Sequence, residues 1–425
     1  MSTGQRLLAQ WTRLGAGMGA VEGLVSRAAT AREGQARVVF VTRDHPLTRH
    51  LGPMSSSTPW ILKGLEGKGP MIGAVVDTLE GSRNPELIVC DLMSPRPGAQ
   101  WLGFQAKKGP AWGSQGISLG KWSPLTGGGS LKTGEEGRDK GSDGLDGFQS
   151  ISSPRIPSQG NGKEGLLETL ASPPSDQIIQ TILMLTDKQP DALLHSLDQR
   201  FPGASKMGMI GASTPFTNGM PFTLFDEYGV RTEGGVGLAL RIPREDGIRA
   251  PDVCVHHPGL RPLYHEGEEK DMMITRARGN VIVELDGGSA TQRLLQRVQA
   301  MGRMGKGGAR YFLSWDQRGG GHRVGEILSG DPGRGAMAID TVEDLLVGTR
   351  VQWMVAETSS RAREEVYPDR AWRFEVTEPE GQMEGASSLG VGSEHGVLVG
   401  EPHRRSWVCR SPHSYLSIME VETLA

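Results

Sequence analysis

Cysteine is scarce in this chain of 425 residues: Cys90, Cys254 and Cys409 stand far apart, and no Cys-x-x-Cys pair exists. That excludes a disulfide framework and a cysteine-based zinc site, so each thiol reads as a small buried apolar side chain. An excess of one charge is lacking too. The formal net charge is −3, which leaves no basic field for nucleic acid or an anionic bilayer. No apolar run approaches the roughly 18 residues needed to cross a membrane. The expectation is a soluble protein with neither a nucleic-acid nor a membrane partner. Asn-x-Ser/Thr sequons are absent, as in a compartment where glycosylation plays no part.

Catalytic patterns are missing as well. No Gly-x-Ser-x-Gly elbow occurs, Cys254 has no assignable His and Asn partners, and the carboxylates form no placed pair. Gly302-x-x-Gly305-Lys306-Gly307 is too short for a phosphate loop and lacks its hydroxyl residue. Gly319-Gly320-Gly321 reads as a hairpin turn. His256 and His257, with His265 and Glu266 nearby, offer metal-ligand chemistry. Adjacent histidines on a strand point to opposite faces, however, and no third ligand has a diagnostic spacing. No catalytic residue, metal or cofactor is therefore assigned, and the chain reads as non-enzymatic.

Glycine, at 61 residues, and proline, at 26, imply many turns and at least one segment that cannot pack. Residues 123–175, rich in Gly, Ser and Pro, should be disordered. Their upstream flank carries Trp101, Trp112 and Trp122, so the whole insert, 99–175, is also a candidate docking element for a protein partner. Before Glu22 the amino terminus has no acidic residue, and Leu7, Leu8, Trp11 and Leu14 can share a helical face. Residues 1–35 thus read as a packed first helix or a mitochondrial targeting segment.

Arg37 to Thr42 is a continuous apolar, β-branched strand, followed by a helical stretch around Trp60 to Leu65 and a run from Met71 to Val76. The order recurs: a strand from Ile178 to Leu185, a helix from Asp191 to Phe201 with Asp191 as its cap, then Met209 to Ala212. Met-Ile-Gly-Ala closes both units, at 71–74 and 209–212, which suggests an internal duplication. Pro221 to Phe225 and Gly235 to Leu240 read as a hairpin. From residue 251 the pattern is strand-rich, with one helix opened by Ser289. The predicted fold class is therefore α/β to α+β: a duplicated strand-helix-strand amino-terminal domain over 36–250 and a strand-rich carboxy-terminal α+β domain over 251–420. Open α/β sheets bind ligands beyond the carboxyl ends of their strands. The candidate ligand residues are Thr42, Asp44, Gly73, Asp77, Asp187, Gly211, Ser213 and Thr214. The alternative reading is that they cap helices and finish turns.

Several stretches resemble the FIST family, with its amino-terminal and carboxy-terminal domains. They are Asp191 to Ala204 followed by Met209 to Ala212 and Gly234 to Leu240; Met273 to Ala290; and Gly330 to Gly335 leading to Gly348 to Met354. Ser393-Glu394-His395-Gly396 and Ser406-Trp407 resemble the end of the family's pattern. The resemblance spans roughly 36–415 without the insert. It implies an intracellular sensory domain in signal transduction that binds a small ligand such as an amino acid. No kinase, chemoreceptor or F-box segment is visible, so a stand-alone sensor is expected. The alternative is an interaction adaptor or scaffold, since some eukaryotic members recognise substrates for ubiquitin ligases. The cytoplasm is the expected location, with the mitochondrion as the alternative.

Overall fold

Strands rather than helices carry the chain. The computed structural model describes residues 9–14, 35–52, 62–63, 69–77, 86–94, 97–106, 170, 173–245, 250–264, 271–302, 309–316, 321–331, 335–356, 373–376 and 390–419. Among these are only three α-helices: α1 (Asp191–Arg200), α2 (Pro215–Asn218) and α3 (Ala290–Ala300). The α/β to α+β expectation is thereby overturned, because the chain is strand-dominated and contains a closed six-stranded β-barrel. Sequence correctly flagged apolar runs, but their neighbours in space are mostly antiparallel strands, and sheets pack on sheets.

The first sheet has the order β1 (Ala9–Leu14), β4 (Leu87–Leu92), β2 (Ala36–Thr42), β3 (Met71–Val76), β10 (Leu224–Asp226) and β11 (Gly229–Arg231). The second has the order β5 (Gln100–Ala106), β12 (Gly235–Pro243), β6 (Gln177–Thr186), β7 (Ser205–Ile210), β24 (Val397–Gly400) and β25 (Trp407–Cys409). In each, one parallel pair, β2 with β3 or β6 with β7, is surrounded by antiparallel neighbours. What repeats is thus a six-strand sheet and not a strand-helix-strand layer.

The ladders superpose when Thr42 is set on Asp187. Thr42 N–H then donates to Glu86 O as Asp187 N–H donates to Gly234 O, each at 2.9 Å. Val75 N–H to Thr223 O matches Ile210 N–H to Gly396 O. Gly73 falls on Gly208, and a Cβ at either would strike a carbonyl on the paired parallel strand, that of Val39 or Met184. The two Met-Ile-Gly-Ala strings do not coincide, since Met71 falls on Lys206 and Met209 on Ala74. The string match is out of register even though the sheets repeat.

The sheets lie face to face. Val38 and Phe40 of β2 meet Leu183 and Leu185 of β6 in the central core, while Val39 and Val41 point outward. Period-two alternation within a continuous apolar run allows one strand to serve both faces. The 3₁₀ turn Pro46–His50, through Leu47, covers the outer face of the first sheet. Helix α1 covers the second with Leu193, Leu194 and Leu197, each contributing about 2 kcal/mol of burial. Pro190, not Asp191, occupies the N-cap of α1 and makes no side-chain cap bond.

A small sheet of β13 (Asp252–His256), β26 (Tyr415–Met419), β22 (Arg373–Val376) and β23 (Gly390–Ser393) adds Val253, Phe374, Val391 and Leu416 to the central core. β8 (Ser213–Thr214) pairs with β9 (Met220–Phe222). The barrel closes as β15 (Met272–Arg278), β16 (Val281–Leu285), β20 (Ala336–Ile339), β19 (His322–Asp331), β18 (Tyr311–Asp316) and β21 (Arg350–Ala356), which returns to β15. β14 (Leu260–Pro262) and β17 (Gly288–Ser289) attach to it. Register shifts in two of its ladders supply the extra twist that closure of so few strands requires. Leu294 and Val298 of α3 pack into the barrel core, and Ser289 Oγ accepts from Gln292 N–H at 3.2 Å, as its capping pattern predicted.

Other expectations change. Residues 9–14 are an edge strand, not helix. The hairpin is β10–β11 in the first sheet, while β12 belongs to the second. Residues 100–106 of the insert are strand β5, with Trp101 buried; Trp112, Trp122 and nearly all of 123–175 lie outside the described residues. Most of the helical stretch at 60–65, as well as His265, Glu266 and 303–308, also lies outside them. Across the expected boundary at 250/251, β24 and β25 return to complete the second sheet.

Candidate functional site

The chain leaving β7 crosses to the first sheet, where Ala212 N–H donates to Val75 O at 2.8 Å. The carboxyl ends of β3 and β7 therefore meet at a seam. The tail turn before β24 is threaded into the same place. Ser393 Oγ donates to Ile210 O at 2.7 Å, Glu394 N–H donates to Asp77 Oδ2 at 2.8 Å, and Asp77 N–H donates to Gly392 O at 3.0 Å.

A polar cluster results. Ser213 Oγ lies 2.8 Å from His395 Nε2, and Glu394 Oε1 lies 3.3 Å from the same nitrogen. Arg43 pairs with Asp77 and, at 3.4 Å, with Glu394. The Phe222 ring meets the His395 ring edge-on at 5.5 Å. Burial pushes His395 below its ordinary pKa; Glu394 opposes this, and Lys188, Arg410 and Arg43 reinforce it. The Glu394 carboxylate and Ser213 Oγ both approach Nε2. A base-activated serine has its orienting acid on Nδ1 instead, so the arrangement reads as a recognition geometry more than a nucleophilic dyad.

The predicted residues divide into two groups. Asp77 and Ser213 stand in the cluster. Thr42 and Thr214 join a buried chain beside it: Thr48 Oγ1 donates to Thr42 O, and Asn218 Nδ2 donates to Thr48 O and Thr223 Oγ1. Thr223 Oγ1 lies 2.7 Å from Thr214 Oγ1. Thr42 Oγ1 accepts from Glu86 N–H, and Asp187 accepts from Gly234 N–H and Gln189 N–H, each at 2.8 Å. Thr42 and Asp187 thus hold the entry to β4 and β12. Asp44 is exposed. Gly73 makes room for the Phe225 ring, and Gly211 packs between Leu224 and the Val75 carbonyl. The glycines admit protein, not ligand.

Sequence reasoning missed Arg43, Lys188, Glu394 and His395. Arg43 and Lys188 each follow the strand-end residue of their unit, a parallel hidden by the misleading tetrapeptide. His395 lies in the tail quartet that carried the family resemblance.

A second feature is a small cleft between barrel and sandwich, lined by Asp191, Trp315, Arg323, Asp340, Trp407 and Arg410. The Arg323 guanidinium lies 4.7 Å over Trp407 and donates to Arg405 O at 2.5 Å. Burial pushes Arg323 down to about 10. Its buried side chain packs against the lining, which makes the cleft a joint more than a receptacle. Cys90 and Cys409 are buried, and all three cysteines are free. Among the described residues, no three His, Cys, Asp or Glu side chains gather to hold a metal, and no helix is long and apolar enough to cross a membrane. The fold and this cluster define a two-sheet sandwich joined to a closed barrel, with a mixed-charge seam at its strand ends. No protein-family model and no curated protein matches the chain.

Proposed function

We propose that the protein is a FIST-type sensory domain in intracellular signal transduction, binding a small ligand such as an amino acid at the seam between its two sheets. The observation that supports this reading is the mixed-charge cluster, with Arg43 and Lys188 set against Asp77 and Glu394 around a Ser213–His395 pair. Charges of both signs on a polar platform match a zwitterion. The reading places the protein in the cytoplasm, with the mitochondrion as the alternative. Ligand binding stabilises the folded state by mass action. A thermal-shift screen of the amino acids should therefore yield at least one dose-dependent rise in Tm, lost in Ser213→Ala. No rise at millimolar ligand would remove the proposal.

An adaptor reading is favoured by one feature. Phe216 is fully exposed on α2, a turn pinned by Asn218 Nδ2 to the Thr48 and Leu51 carbonyls. A partner bound through the insert should be lost on deleting 107–169, which spares β5 and buried Leu170.

A further inference from the structure

The seam gives the two sheets' equivalent residues different company. Arg43 and Lys188 occupy matching positions just past Thr42 and Asp187, and both lie within electrostatic reach of His395. Phe222 and His395 are likewise matched, each preceding the residue whose carbonyl accepts from β3 or β7, and they touch at the seam. The match fails at one place that matters. Arg43 is neutralised by Asp77, but the residue equivalent to Asp77 in the second sheet is Ala212. Lys188 is exposed and pairs with no carboxylate among the described residues.

Resting on the sensor reading, we propose that the ligand's carboxylate takes, beside Lys188, the part that Asp77 plays beside Arg43, docking against Ser213 and His395, and that His395 takes up one proton as it docks. The groups facing His395 are Ser213 from β8, Phe222 from β9, Glu394 beside it in the chain, Arg43 after β2, Lys188 after β6 and Arg410 after β25. Arg410 is itself 3.6 Å from Asp340. Three cations and burial outweigh one carboxylate and hold the ring neutral. A second carboxylate reverses that balance, and the protonated ring then donates from both nitrogens to ligand and protein.

The test uses full-length protein labelled with ¹⁵N-histidine, titrated with pH alone and with glycine, acetate or methylammonium. Glycine and acetate should raise the His395 pKa, whereas methylammonium should not. The apparent glycine Kd should fall about tenfold for each pH unit lowered through the window between the free and bound pKa values. Lys188→Gln, a change at an exposed position, should abolish the acetate response, and His395→Gln should bind glycine without pH dependence. A His395 pKa unmoved by glycine and acetate overturns the inference. If an amino acid still raises Tm in that case, the sensor reading stands without it; if none does, both are lost. An undiminished acetate response in Lys188→Gln overturns the inference as well.

Discussion

The two sheets share every ladder but differ in the residues placed upon them. The strand-entry N–H groups of Glu86 and Gly234 are held by Thr42 in one sheet and Asp187 in the other, at the same 2.8 Å. One structural task is thus met by two chemistries, so neither residue need be a ligand group. The tasks diverge along the neighbouring strand, β3 or β7. Lys206, fully buried, stands where the first sheet has Met71, and Ala212 stands where it has Asp77. A repeated scaffold fixes where side chains can go; the unmatched positions show which of them have been given other work.

The largest expected effect is at Lys206, whose Nζ reaches Asp198 Oδ1 and Ala204 O, both at 3.1 Å. Lys206→Ala should cost about 3 kcal/mol or more, because a buried partner is removed. Lys206→Met, the first sheet's choice, should recover most of it, since Asp198 keeps the Ser406 N–H and Oγ donors. Desolvation lowers the Lys206 pKa in the folded state. The unfolded chain therefore holds that proton more tightly, and wild-type stability should rise with pH from the folded pKa toward the ordinary lysine value. Urea melts of wild type and Lys206→Met across mildly alkaline pH check the sign. A wild-type curve that rises no more than the variant's would break this part of the comparison.

A smaller effect is expected at the matched caps. Asp187→Ala removes two acceptors and should cost about 2 kcal/mol, while Thr42→Val removes one and should cost about 1 kcal/mol. Asp187→Thr copies the first sheet and should lose only the Gln189 bond. Chemical denaturation measures all three, and equal losses for Asp187→Ala and Asp187→Thr would show that the positions are not equivalent.

Much of this was legible in the residues. The β-branched runs at 36–42, 177–186 and 281–285 announced their strands, and Ser289 announced its helix. Local pattern could not say which distant segment completes each sheet. β10–β11 and β24–β25 come from far along the chain, and pairing over such separations leaves no periodic trace. Residues 9–14 fit helical spacing as well as strand alternation, and the edge of β4 decided the matter. Of the candidate residues, Asp77 and Ser213 stand at the seam. Its imidazole and second carboxylate arrive with the tail, across 182 residues in the case of Ser213 and His395, which no spacing rule links.

Amide chemical-shift mapping with the strongest amino acid from the thermal screen tests the central claim most directly. Perturbations should centre on Arg43, Asp77, Lys188, Ser213 and 393–396, and should vanish in Lys188→Gln. Shifts centred on Trp315, Arg323 and Trp407 at the barrel joint, with the seam silent, would contradict it.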